Sequence, residues 1–272
     1  MTEKANTLPA NACDCHVHLY DPVRFPVAAV VPSATWSDLQ SMHQALGIQH
    51  TVLVQPLAYR FDNSCLLDGL QQAGEHARGI AVIAADSSDE LLADLHLHGV
   101  RGVRLMMVPG SEGVLGWEDL ETLSARIAEL GWVINLQLDG RELPAFESRL
   151  SALPSRLSID HTGKFLEPVA LDSSAFKSLR RLMDTGNTWV KVSAPYETSK
   201  QGGPLYPDVS ILASTLVEHY TERCLWASNW PHPGQSPAPQ DQKLLELLSY
   251  WAPSKSVREQ ILVSNPLKLY GF

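Results

Sequence analysis

Cysteine is scarce in this sequence. Cys13, Cys15, Cys65 and Cys224 stand at irregular spacing in 272 residues, which excludes a disulfide-stapled fold and fits reduced thiols in a cytosolic chain. The close pair Cys13 and Cys15 is read as two small buried hydrophobes on one strand face, pointing away from His16, rather than as a metal or redox pair. No apolar run approaches the length of a membrane span. Residues 1–11 are polar and lack the apolar stretch of a secretory leader, so the expected location is cytoplasmic. Positive charge is in deficit, with 21 Lys and Arg against 30 Asp and Glu and a net charge of −9. That disfavours a nucleic-acid partner held by phosphate contacts. An anionic small molecule would need a local cationic pocket. Internal repeats and low-complexity segments are also lacking.

What is present is a regular alternation. The chain is 44% apolar, enough for a large core, and its length suits one domain spanning 1–272. Eight short apolar runs read as strands: 12–19, 51–55, 79–84, 102–107, 132–138, 157–160, 189–193 and 224–228. Helical patterns separate them at 36–46, 64–77, 89–97, 117–130, 141–150, 174–184 and 209–220, and two more follow at 242–251 and 256–263. Asn63 and Ser88 stand where N-caps belong, and Gly47, Gly131 and Gly186 lie just past helix ends. Strands spaced by crossover helices pair in parallel. Eight such units predict a (β/α)8 TIM barrel of α/β class, with an open doubly wound sheet as the alternative. The Gly-, Pro- and Tyr-containing loop 199–208 suits a lid or an ordinary surface loop. An apolar stripe on the outer helices would serve core packing or a homo-oligomer.

Barrel enzymes carry their chemistry at the carboxyl ends of the strands. In the first strand, strict alternation puts Asp14, His16 and His18 on one face and Cys13, Cys15 and Val17 on the other. A lone histidine is most often structural; two at i and i+2 ending a strand point to a site. Other strand ends contribute Gln55, Arg104, Gln137, His161 with Lys164, Tyr196, and Asn229. Lys191 and Asp160 have plainer readings, as a structural charge inside the barrel and as an orienting or capping carboxylate. The remaining histidines, His43, His50, His76, His96, His98 and His219, fall in helices or at strand beginnings and receive no function.

Five fragments in order carry a family likeness: Asp14-Cys15-His16-Val17-His18, Val100-Arg101-Gly102-Val103-Arg104, Ile159-Asp160-His161-Thr162-Gly163-Lys164, Asn229-Trp230-Pro231-His232 and Asn265-Pro266-Leu267-Lys268-Leu269-Tyr270. Together they resemble the amidohydrolase superfamily, in the amidohydrolase-2 group of pyrone dicarboxylate lactonases, sulfomuconolactone hydrolases and galactarolactone isomerases. The stretches 137–140, 160–165 and 186–199, with Ser228-Asn229-Trp230-Pro231-His232, are most similar to the galactarolactone isomerase branch. Metal-dependent members of the superfamily place ligands on strands 1, 4, 5, 6 and 8. Here those positions offer a cationic Arg104, which would repel a metal, a Gln137, and the neutral Asn229, a poor ligand. The resemblance therefore implies a metal-independent site without a cofactor. The alternative is one zinc or manganese ion on His16, His18 and His161.

The resemblance implies an enzyme acting on a small anionic lactone. His16, His18, His161 and Asn229 are the catalytic candidates, with at least one histidine protonated to stabilise an oxyanion. Arg104 and Lys164 would bind the substrate carboxylate, and Gln55, Gln137 and Tyr196 its hydroxyls. An amide cannot take a proton from water, so Asn229 disfavours hydrolysis. An intramolecular attack by a substrate hydroxyl is less demanding. The expected activity is thus the interconversion of 1,5- and 1,4-lactones of an aldaric acid, of galactarolactone type, in sugar-acid catabolism. The alternatives are a lactonase acting on a pyrone dicarboxylate or muconolactone, for which Asn229 would be an Asp-to-Asn variant, and a non-catalytic barrel that binds a sugar acid.

Overall fold

The computed structural model describes residues 8–111 and 113–272, so residues 1–7 of the polar N-terminal segment lie outside the described residues. In chain order the elements are β1 (Cys13–Val17), α1 (Trp36–Leu46), β2 (His50–Val54), α2 (Ser64–Ala73), β3 (Ala77–Ala81), α3 (Asp89–Leu97), β4 (Val100–Met106), α4 (Leu120–Ala128), β5 (Val133–Gln137), α5 (Leu143–Ser151), β6 (Arg156–Ile159), α6 (Ser174–Asp184), β7 (Thr188–Ser193), α7 (Pro207–Tyr220), β8 (Cys224–Ala227), α8 (Asp241–Trp251), α9 (Lys255–Glu259) and α10 (Asn265–Tyr270). The strands pair in parallel in the order β1 to β8. The Asn229 N–H donates to the His16 carbonyl at 3.0 Å and the His18 N–H to the Trp230 carbonyl at 2.8 Å, bringing the end of β8 against β1. The sheet is therefore a (β/α)8 barrel and not an open doubly wound sheet.

Local chemistry sets the helix limits. Thr35 caps α1, and the Asp38 side chain reciprocates on the Thr35 N–H, a two-way capping box. Gly47 then ends α1 at φ 80°, a left-handed conformation that costs glycine little. Ser88 accepts from the Leu91 N–H and caps α3. Asn63 stands at the N-cap of α2 but makes no cap bond. Its amide instead pairs with both backbone groups of Val82 beyond β3, donating to the carbonyl at 2.8 Å and accepting from the N–H at 3.1 Å. The loop 199–208 is pinned by Asp208, whose carboxylate accepts from the Ser199 hydroxyl at 2.5 Å and the Lys200 N–H at 2.7 Å.

Apolar residues form two layers. The larger lies between the outer strand faces and the helices. The smaller fills the lower barrel interior with Cys13, Cys15, Ile80, Val133, Trp189 and Leu225, capped by Leu269 and Tyr270 of α10. All four cysteines are free and buried.

This packing corrects the strict alternation expected for β1. The register against β2 slips between Asp14 and Val17, a β-bulge. A bulge inserts one residue and resets which face the following side chains take. Cys13 and Cys15 therefore point into the barrel beneath His16, with their sulfurs 3.7 Å apart. Asp14 faces outward instead, 3.5 Å from the His43 ring nitrogen of α1, and accepts from the Ser228 N–H at 2.9 Å. Asp14 ties β1 to α1 and to the end of β8.

Candidate active site

Strand ends bring the predicted histidines together. His16 and His18 meet edge to face with ring centroids 4.8 Å apart, and His161 lies 4.9 Å from His16. Beneath them sits a buried ion group. The Lys191 ammonium of β7 lies 3.1 Å from an Asp160 carboxylate oxygen and 3.1 Å from His16 Nδ1. Its third acceptor is Asn135 Oδ1, and the Asn135 amide also donates to the other Asp160 oxygen at 2.9 Å. Lys191, Asp160, Asn135 and His16 are all fully buried. Burial pulls Lys191 down, and Asp160 counters it. Burial pushes the Asp160 carboxyl up, but Lys191 and His16 outweigh it and hold the group well below the usual carboxylate range.

The ammonium group sets the imidazole protons. Lys191 can only donate, so His16 Nδ1 accepts and its Nε2 carries the hydrogen. His16 Nε2 then donates to His18 Nε2 at 3.2 Å, and His18 Nδ1 donates to the Val54 carbonyl at 2.8 Å. Each bond is consistent with the next. His161 Nδ1 lies 2.9 Å from the Ser193 hydroxyl, which itself donates to the Lys191 carbonyl at 3.4 Å. That directs the His161 hydrogen to Nδ1 and leaves Nε2 with its lone pair.

These surroundings correct one expectation. Burial, with Lys191 adding to it, drives His16 well below its ordinary value. Burial, with Arg104 adding to it, brings His18 down to about 3, and burial brings His161 down to about 3. All three imidazoles are therefore neutral near neutral pH, and the positive charge in the cluster comes from Lys191 and Arg104.

A second network crosses the mouth. The Asn229 amide donates to the Tyr196 hydroxyl and to a Glu197 oxygen, each at 3.0 Å. The other Glu197 oxygen pairs with the Lys164 ammonium. Tyr196 meets His232 Nδ1 at 2.8 Å, and His232 Nε2 lies 2.9 Å from Asp241. Lys164 is thus not a free charge awaiting a substrate carboxylate, because Glu197 already neutralises it. Burial raises the Glu197 carboxyl, but His161 and Lys164 outweigh it and the net shift is downward. Burial and the neighbouring Glu197 raise the Tyr196 phenol.

Arg104, Gln55 and Gln137 line the opposite wall. Arg104 donates to the Gln55 carbonyl at 2.7 Å and to Gln137 Oε1 at 3.1 Å. The nine predicted residues thus gather at one end of the barrel, as three histidines, an Asn229–Tyr196–Lys164 group and an Arg104–Gln55–Gln137 group. Sequence reasoning missed Glu197, His232 and Asp241 as neighbours of these residues, and it placed Ser193 at the rim without giving it a role. Glu197 carries a usable signal: an acidic residue directly after Tyr196, beyond a strand end.

His16, Asp160 and His161 offer ligand atoms that all lie within 4.8 Å of one another and could hold a metal ion. This set replaces His18 of the expected triad with Asp160. The donor chemistry is a poor fit, because the Lys191 ammonium already lies against both Asp160 and His16 Nδ1. Both nitrogens of His18 are also engaged.

Known proteins resemble this chain along nearly its whole length. A 2-pyrone-4,6-dicarboxylate hydrolase of Comamonas testosteroni is 32% identical, over 97% of this chain and 91% of its own. A D-galactarolactone isomerase of Agrobacterium fabrum is 31% identical, over 96% of this chain and 91% of its own. The apo crystal structure of an Agrobacterium tumefaciens protein superposes with a TM-score of 0.91 at 30% identity, covering 98% of each chain. Residues 13–272 match the amidohydrolase family, and the chain belongs to it.

Proposed function

We propose that this amidohydrolase is a metal-independent lactone isomerase that interconverts the 1,5- and 1,4-lactones of an aldaric acid such as galactarate. Relatives that isomerise or hydrolyse lactones support the substrate class. The observation that carries the choice of isomerisation is the setting of Asn229. Its amide N–H groups are spent on Glu197 and Tyr196, so position 229 acts as a neutral donor and takes no proton from water. Glu197 has both oxygens engaged, one by the Lys164 ammonium and the other by the Asn229 amide.

The reaction then needs no outside nucleophile. A hydroxyl of the bound sugar acid attacks the lactone carbonyl and gains from enforced proximity. His161 Nε2 accepts the hydroxyl proton, and the nearby Glu197 and Asp160 charges favour the imidazolium that forms. The His16 Nε2 hydrogen, which the free site gives to His18 at 3.2 Å, is shared with the developing oxyanion as the intermediate forms, and Lys191 at Nδ1 holds the ring in that tautomer. When the tetrahedral intermediate collapses, the original ring oxygen leaves and takes the proton back from His161. One C–O bond forms and one breaks, and no water is consumed. Arg104 binds the free carboxylate, while Gln55, Gln137 and Tyr196 meet hydroxyls.

The metal-free reading is supported by the lysine: a divalent ion on His16 and Asp160 would have to displace or deprotonate a fully buried ammonium. Carbon NMR of galactarolactones in heavy-oxygen water tests the reaction. Ring-size exchange without label is expected. Rapid labelling of free diacid with no exchange of ring size would overturn the proposal in favour of a lactonase.

A further inference from the structure

The hydrogen bonds across the mouth run in one direction. We infer that His232 and Asp241 are positioning residues that make the Tyr196 hydroxyl a pure acceptor toward the substrate, where it takes the hydrogen of a hydroxyl on the lactone ring. This deepens the sugar-acid reading above and rests on it.

The direction is set by Asp241, the first residue of α8. A carboxylate can only accept, so His232 Nε2, 2.9 Å away, carries a hydrogen. In the neutral ring Nδ1 then has a lone pair and accepts from the Tyr196 hydroxyl at 2.8 Å. Burial and the neighbouring Glu197 raise the Tyr196 phenol, so it keeps a hydrogen to give. One lone pair of the Tyr196 oxygen already accepts from the Asn229 amide at 3.0 Å. That amide is oriented by its second bond, because Glu197 Oε1 can pair with its nitrogen and not with its oxygen. The second lone pair of Tyr196 is what remains for a ligand. His232 is 3% exposed with both ring nitrogens engaged, so it acts through Tyr196.

The local backbone is bent to serve this arrangement. Asn229 and His232 hold left-handed conformations, at φ 64° and 62°, in one turn closed by the His232 N–H on the Asn229 carbonyl at 2.8 Å. That region favours glycine, yet both positions carry side chains that meet Tyr196.

An acceptor at this place suits a ligand that brings hydrogens. In the 1,5- and 1,4-lactones of galactarate the hydroxyls at C2 and C3 are free in both rings, so a contact to either one survives the change of ring size. They also stand next to the lactone carbonyl at C1, close to the reacting atoms. A pyrone dicarboxylate has no hydroxyl hydrogen to offer, and a carboxylate oxygen placed there would face a lone pair. The rim thus rewards a sugar acid and gives nothing to an unsaturated ring.

Nitrogen-15 NMR of the histidine-labelled enzyme at neutral pH reads the His232 tautomer without substrate, and His232→Asn assigns its signals. A hydrogen on Nε2 and a bare Nδ1 are expected. A hydrogen on Nδ1, alone or together with Nε2, would overturn the inference, because Tyr196 would then turn its own hydrogen outward. Asp241→Leu should let the Nδ1–H tautomer appear; an unchanged spectrum would remove Asp241 from the pair. Calorimetric titration with the equilibrated galactarolactones reads binding whether or not the enzyme interconverts them. Tyr196→Phe and His232→Leu should each weaken it about three- to tenfold, and His232→Asn, which keeps an acceptor near the Nδ1 position, should recover part of the loss. The double variant should bind within about twofold of Tyr196→Phe, since both changes remove the same contact. Losses that multiply, or His232→Leu binding within about twofold of wild type, would overturn the link between His232 and Tyr196. No binding by wild type would sink the inference and the isomerase together. The expected tautomer and coupled losses without ring-size exchange would keep the positioning pair and sink the isomerase alone. Exchange in an enzyme with hydrogen on His232 Nδ1 would do the reverse.

Discussion

The barrel holds two polar regions that differ in how fully their groups are met. At the floor of the site, Lys191 is surrounded by Asp160, Asn135 and His16, and the hydrogen-bond chain runs on through His18 to a backbone carbonyl. At the wall, Arg104 and Gln55 keep an unpartnered donor and acceptor beside a cavity. A closed network fixes geometry and proton positions, while an incomplete one is shaped for something that arrives. On the proposed reading, the first region holds the histidine rings in place and the second meets the ligand.

Breaking the floor should have the largest effect. Lys191→Met strands Asp160 in a dry interior, and a loss of about 3–5 kcal/mol in denaturant unfolding is expected. Adding Asp160→Asn should restore part of it. A loss below about 1 kcal/mol would mean that the ion group is not a unit. His161→Gln probes the boundary between the two regions. It keeps a polar side chain but removes the base, so kcat should fall by about 10²–10⁴ while the melting temperature changes little. Unchanged turnover would remove His161 from the proton path.

Asn229→Asp sharpens the contrast most gently. It trades two donated bonds for a second carboxylate facing Glu197, and like charges this close raise the pKa of one of them. Hydrolysis, followed as free diacid, should rise by about tenfold or more as isomerisation falls. No gain in hydrolysis would show that the amide is not what restrains water.

The alternation of strands and helices is legible in the sequence because turn residues and apolar periodicity are local signals. The polar rim is legible for a similar reason, since strand ends in a barrel share one face. Asp14 is not, because a bulge leaves no mark in the period of β1 and reverses its facing. The partners of Lys191 are not either. They come from β1, β5 and the residue that follows β6, and only the closed barrel brings them together. Neutral histidines follow from burial beside two cations, which composition does not report. Lys164 looks like a free cation until Glu197, 33 residues on, folds against it. Asn63 fits the composition of a cap, yet its amide is claimed by Val82.

Metal dependence tests the central claim most directly. Protein stripped with a strong chelator, and checked by elemental analysis, should interconvert the two galactarolactones at the untreated rate, with no gain from added zinc or manganese. Activity that vanishes on stripping and returns with either ion would contradict the account, because the lysine would then have to leave Asp160 and His16 for the enzyme to work.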